Sequence, residues 1–215
     1  MIHEVLTVGP LQCNCSILGD ETTREAIVID PGDEVERILA ALRAHDLRLK
    51  YIVNTHAHFD HVGNCRELQE ATGAEIRLHK ADVPIYETAP RQAAMFAAYG
   101  VKPIRLAPVN GYLADADGLQ VGTVAAEVIY TPGHTPGSLS LHVPGGARPI
   151  LFAGDTLFRD SIGRTDLPGG DFEQILRSIR ERLLPLDDET EVWPGHGPKT
   201  TIGRERRLNP FLRDR

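Results

Sequence analysis

Residues 54–64 read NTHAHFDHVGN, so His56, His58, Asp60 and His61 crowd into a single short turn of chain. Protonated, the three imidazoles repel one another; buried, each needs a partner for its polar atoms. Four such groups side by side ask for one centre that binds them all, and for a fold that leaves room for it. The residues just before, LKYIVN, form a short apolar run of the kind that makes a buried strand. His56 and His58 are two apart in an extended turn, so both can point the same way. Asp60 and His61 open the next helix and aim at a neighbouring point.

The pattern of a strand leading into a functional side chain recurs. Strand-like runs also end at His134 in TPGH, at Asp155 in RPILFAGD and at His196 in TEVWPGHG. In α/β proteins the loops at strand ends gather functional groups, so four such ends can converge on one rim. Elsewhere MIHEVLTV, CNCSIL and EAIVID read as three short strands separated by GP and GDETT turn signals. DEVERILAALRAHD places Val35, Ile38, Leu39 and Leu42 at i, i+3, i+4 and i+7, an amphipathic helix. GNCRELQEATG reads as a helix stopped by Gly73, and AEIRLH as a strand. ADVPIYETAPRQAAMFAAYG reads as a helix broken near Pro90. Asp117-Gly118 marks a turn between strand candidates, and SLSLHVPG alternates. DFEQILRSIRERLLPL carries Phe172, Ile175, Leu176, Ile179 and Leu183 on one stripe, with Asp171 as N-cap and Gln174 three residues on. Strand and helix signals both run through the chain, and no repeat, low-complexity stretch or linker interrupts them. The expectation is one α/β domain over residues 1–215.

Composition narrows the function. At 215 residues, 41% hydrophobic and 25% charged, the chain has an ordinary globular make-up and can bury a sizeable core. Its formal net charge of −7 argues against a nucleic-acid partner, whose footprint is a basic patch. The basic ending GRERRLNP reads as a solvated terminal face. Cys13, Cys15 and Cys65 give no disulfide framework. Cys13 and Cys15 alternate in LQCNCSIL and read as small buried hydrophobes. MIHEVLTVGP has no signal-peptide pattern and nothing reaches a membrane span, so a reducing cytoplasm and no membrane partner are expected. Oligomeric state leaves no mark on the sequence.

The ligand types point to metal. Zinc takes imidazole nitrogen and carboxylate oxygen, with about four ligands. Two metals roughly 3.5–4 Å apart form a common hydrolytic site. The cluster offers four ligands, and His134, Asp155 and His196 offer three more. Structural zinc sites lean on cysteine; a histidine-and-carboxylate set with room for water is the catalytic kind. Zinc, iron and manganese all suit such donors. No G-x-S-x-G elbow competes as a nucleophile.

THAHFDH, TPGHTPGS, GDTLF and PGHG in that order, with IVIDPG near the start, resemble the metallo-β-lactamase-fold hydrolases over nearly the whole chain. SIGRTDLPGGD and the ending GRERRLNPFL are most similar to the short bacterial glyoxalase II-like, or hydroxyacylglutathione hydrolase-like, group. The resemblance implies a four-layer αββα sandwich with metals at one edge of its two sheets. It implies two divalent metal ions, zinc first, with iron or manganese as alternatives. His56, His58 and His134 would hold the first metal. Asp60, His61 and His196 would hold the second, with Asp155 bridging. On the same resemblance Asp60 and Asp155 would be the catalytic carboxylates, and Asp30 would support a ligand from behind. The implied activity is cleavage of thioesters such as S-lactoylglutathione by a metal-bound hydroxide, so the partner is a small-molecule thioester. Classical members carry a further helical C-terminal segment that grips glutathione, and most of it has no counterpart in residues 1–215. One rival is a lactone or ester hydrolase of the same fold. Another is a mononuclear iron persulfide dioxygenase, which shares GRTD but typically has cysteine and glycine where this chain has Ser161 and Ile162. Arg164 and Asp166 read as an ion pair beside the site. His3, His45, His79 and His142 read as surface or partly buried polar residues.

Overall fold

The computed structural model describes residues 1–213. The strands are β1 (Ile2–Val8), β2 (Cys13–Gly19), β3 (Glu25–Ile29), β4 (Arg48–Val53), β5 (Glu75–His79), β6 (Gly111–Leu113), β7 (Gly118–Val121), β8 (Val124–Tyr130), β9 (Leu139–Val143), β10 (Ile150–Gly154), β11 (Leu157–Phe158), β12 (Ser161–Ile162), β13 (Glu191–Pro194) and β14 (Thr200–Thr201). The helices are α1 (Val35–Ala44), α2 (Phe59–Val62), α3 (Cys65–Thr72), α4 (Val83–Met95), α5 (Phe172–Ser178) and α6 (Ile202–Leu208). One sheet runs β1-β2-β3-β4-β5-β6 and the other β14-β13-β10-β9-β8-β7, while β11 and β12 pair as a small ribbon.

Strand periodicity explains the layering. Successive side chains of a strand point to opposite faces. In β3, Ala26 and Val28 join a core shared with α1, α3 and α4, whereas Ile27 and Ile29 face the other sheet. In β10, Ile150 and Phe152 enter that inter-sheet core, and Leu151 and Ala153 enter a third core under α5 and α6. Three apolar cores separate four layers, which is the αββα sandwich expected from the sequence. Cys13, Cys15 and Cys65 are free and buried. Among the described residues no helix is long and apolar enough to cross a membrane.

Three local expectations need correction. Helix α4 runs through Pro90 to Met95 without a break. Proline inside a helix costs about 3 kcal/mol or more, but Tyr86, Ala89 and Ala93 bury one face of α4, and the Tyr86 hydroxyl also donates to the Ala107 carbonyl at 2.9 Å. Tertiary packing outweighs the lost hydrogen bond. Asp171 does cap α5, accepting from Gln174 N at 2.9 Å, yet Phe172 leaves the buried stripe and is 47% exposed. A hydrophobic stripe fixes which face turns inward, not how far along the axis the neighbouring layer extends. The ending GRERRLNP is a solvated face on one side only, where Arg206, Arg207 and Leu208 are exposed. It forms α6, with Ile202, Gly203 and Glu205 buried, and Asn209 is buried just beyond it.

Candidate metal centre

Four strands deliver the singled-out residues. β4 ends at Val53, ahead of His56, and β8 at Tyr130, ahead of His134. β10 and β13 end at Gly154 and Pro194, just before Asp155 and His196. The first of these strands belongs to one sheet and the other three to its partner, so the loops meet across one rim of the sandwich. Asn54 secures the first loop by donating to the His61 carbonyl at 3.1 Å. Gly195 has to be glycine, because a Cβ there would meet Asp155 Oδ1 at 2.1 Å and the His61 ring at 2.7 Å.

All seven residues come together. His56, His58 and His134 offer ligand atoms that lie within 4.8 Å of one another, and so do Asp60, His61 and His196. Asp155 touches both triads. Its Oδ2 is 3.6 Å from His134 Nε2 and 3.8 Å from His196 Nε2, and its Oδ1 is 3.6 Å from His61 Nε2. Asp60 Oδ2 lies 3.2 Å from His196 Nε2. Asp30 sits behind the cluster, 1% exposed, with Oδ2 3.0 Å from His61 Nδ1.

Hydrogen bonds around the rim set the tautomers, since the partner of one ring nitrogen fixes the state of the other. His61 Nδ1 faces Asp30 Oδ2, and His196 Nδ1 faces the Leu11 and Gln12 carbonyls at 2.9 and 3.2 Å. His134 Nδ1 faces the Arg164 carbonyl at 2.8 Å. The Thr55 hydroxyl donates to Asp30 and therefore accepts from His56 Nδ1. In its neutral form each of these four rings keeps its proton outward and turns the Nε2 lone pair inward. His56 Nε2 and Asp155 Oδ1 are buried with no hydrogen-bond partner. His61 Nε2 and His196 Nε2 face each other at 3.2 Å, a repulsive pair unless positive charge lies beside them.

The electrostatics agree. Burial, with the neighbouring imidazoles, pushes His56 far down, and burial with His134 pushes His58 down to about 3, so both stay neutral. Burial alone would lower His61 and His196. For His61 the carboxylates of Asp155, Asp60 and Asp30 outweigh it, and for His196 the bond to Asp60 and the charge of Asp155 do. Burial would raise the Asp60 carboxyl, but His61 and His196 hold it well below the usual carboxylate range. The carboxylates draw positive charge onto His61 and His196, and a divalent cation would take the place of those Nε2 protons while the neutral His56 and His58 offer free lone pairs. The residues present fit that group.

Two supports escaped the sequence reading. Asn14, on β2, donates to the Pro194 and Gly197 carbonyls at 3.0 and 2.9 Å and pins the loop of His196. Asp82, at the start of α4, joins the loops of His58 and His134. Neither stands in a motif of ligand-type residues, so only their surroundings reveal them. Arg164 and Asp166 do pair, at 2.8 Å through both contacts, but in the open. The GRTD contribution to the cluster is the Arg164 carbonyl.

Comparison with known proteins places this geometry. The model of the metallo-beta-lactamase superfamily matches residues 8–196. The hydroxyacylglutathione hydrolase GloC of Haemophilus influenzae is 39% identical, the alignment covering 97% of each chain. The solved structure of the BLEG-1 B3 metallo-beta-lactamase superposes with a TM-score of 0.88 at 38% identity, over 98% of this chain and 99% of that one. TTHA1623, solved in a di-iron-bound form, gives 0.83 at 42% identity, over 97% and 100%. ETHE1 from Myxococcus xanthus gives 0.80 at 30%, over 98% and 84%. Sharing fold, length and sequence with these proteins, the chain belongs to the metallo-beta-lactamase superfamily, a family of metal-dependent hydrolases.

Proposed function

We propose that this protein is a glyoxalase II-like thioesterase that cleaves small hydroxyacyl thioesters of the S-lactoylglutathione kind. The observation that carries the reading is the paired triads with Asp155 between them; the likeness to GloC supports the substrate class. His56, His58 and His134 would hold one divalent cation, zinc first. Asp60, His61 and His196 would hold the other, and Asp155 would bridge. Bound there, two such cations lower the pKa of water toward neutrality and polarise a carbonyl.

The chain's own groups do the rest. His56 and His58, held neutral, keep their lone pairs free of competing protons. Asp155, with contacts of 3.6–3.8 Å to histidines of both triads, would offer one carboxylate to both halves. Asp60 stays anionic through the neutral range and is partly open to solvent. Its carboxylate would orient the attacking water by accepting a hydrogen bond from it. Asp30 keeps the proton of His61 on the outward nitrogen.

A second reading, the mononuclear iron persulfide dioxygenase, draws on the ETHE1 likeness. A single experiment separates the two. Protein saturated with zinc or iron is assayed for metal content, for S-lactoylglutathione hydrolysis and for oxygen uptake with glutathione persulfide. Two metals per chain with thioester hydrolysis are expected. One metal with oxygen uptake and no hydrolysis would give the assignment to the dioxygenase.

A further inference from the structure

Asp82 offers no ligand atom to either triad, yet it is completely buried. It closes the short 3₁₀ turn Lys80–Asp82 that links β5 to α4. Its Oδ2 accepts from Ala57 N at 2.9 Å and from the Thr135 hydroxyl at 2.8 Å, and its Oδ1 accepts from Gly137 N at 2.6 Å. Ala57 stands between His56 and His58, and Thr135 directly follows His134. All three donors therefore come from the two loops that carry the first triad. Gly137 leaves room for the carboxylate, since a Cβ there would lie 2.7 Å from it.

We propose that Asp82 is a positioning residue for the first metal site: its carboxylate locks the His56–His58 turn to the His134 loop and so sets affinity at that site alone. The inference rests on the two-metal reading above. Across the clamp His58 Nδ1 and His134 Nε2 lie 2.9 Å apart, and a slip of either loop would part them. The second triad is held by other means, through Asp30 behind His61 and the Leu11 and Gln12 carbonyls behind His196. The chemistry requires a carboxylate. An amide brings one acceptor, so it sets its NH₂ either against the Gly137 N–H or against the Ala57 N–H and the Thr135 hydroxyl. A buried donor facing a donor forces the backbone to move.

The test places Asp82→Asn in two backgrounds. His196→Ala leaves only the first triad intact, and His58→Ala leaves only the second. Zinc affinity of metal-free protein is measured by competition with a chromogenic chelator. The expected result is a loss of about ten- to hundred-fold in the His196→Ala background, the usual effect of removing a support behind a metal site, and no change beyond experimental error in the other. Equal loss in both backgrounds overturns the proposal and makes Asp82 a general prop of the fold. No loss in either also overturns it. Should Asp82→Asn fail to fold, Thr135→Val removes one donor, keeps the carboxylate and carries the same comparison, with a smaller loss expected in the first triad only. Parent backgrounds that bind no zinc at all would instead defeat the two-metal reading, and this inference with it.

Discussion

Glu205 stands in the most basic stretch of the chain and is completely buried. Its Oε1 accepts from the Thr200 hydroxyl at 2.5 Å and from Arg204 Nη1 at 2.7 Å. Its Oε2 accepts from Asp160 N at 2.8 Å and from Asn209 Nδ2 at 3.0 Å. Asn209 in turn donates to the Ser161 carbonyl at 2.9 Å. One carboxylate thus fastens α6 to the ribbon of β11 and β12. Glu205→Ala leaves the Thr200 hydroxyl and one Asn209 N–H, both on buried residues, without an acceptor, while Arg204 keeps Asp160 and the exposed Asp160 N–H keeps water. Each buried donor left without an acceptor costs about 1–3 kcal/mol, so two cost about 2–6 kcal/mol, against a total stability of about 5–15 kcal/mol for a domain. At about 2–4 °C per kcal/mol for a chain of this size, the melting temperature should fall by roughly 4–24 °C. Thermal unfolding followed by circular dichroism on metal-free protein measures this without the added stabilisation of bound metal. Glu205→Gln, which keeps one acceptor, should fall between parent and alanine variant. A shift under about 2 °C for Glu205→Ala, less than 1 kcal/mol on the same scale, would refute the claim that this network holds the ribbon.

Two further outcomes are expected. Asp155→Ala should lower thioester hydrolysis by at least about a thousandfold, roughly 4 kcal/mol of barrier, while the metal-free protein melts near the parent, because Asp155 Oδ1 has no hydrogen-bond partner to lose; near-parent activity would remove Asp155 from its bridging role. Asp20 ties the turn after β2 to the turn between β7 and β8, and hydrogen bonds from Thr123 first and Thr23 next hold its carboxyl far below the ordinary range. A depressed folded pKa stabilises the fold above the unfolded carboxylate value of about 3.9 and loses that contribution as the pH falls below it. Asp20→Ala should therefore cost melting temperature at pH 7, and the gap to the parent should narrow in thermal scans run progressively below pH 4; a constant gap would count against the linkage.

Much of this molecule is written in local sequence. Alternation in β3 and β10 assigns their side chains to opposite cores, because a strand has a period of two wherever it lies. The seven residues grouped from NTHAHFDH, TPGH, FAGD and PGHG meet at one rim, because ligand chemistry resides in side-chain type and the end of a strand is visible where an apolar run stops. Asp171 caps α5 as its spacing with Gln174 requires. Tertiary structure alone decided which segments become neighbours. β6 and β7 are consecutive yet lie in different sheets, and β13 reaches β10 across α5 to form a parallel pair. It also decided the roles of Asp82, Asn14 and Glu205. Each is an ordinary polar residue whose meaning depends on the donors and acceptors that face it. Those partners come from segments far away in the chain, as when Asp82 binds Gly137 and Asn14 binds Gly197. Pro90 shows the same limit from the other side: local propensity broke the helix, and the buried face of α4 kept it whole. A sequence states what each side chain is able to do, and only packing states what it meets.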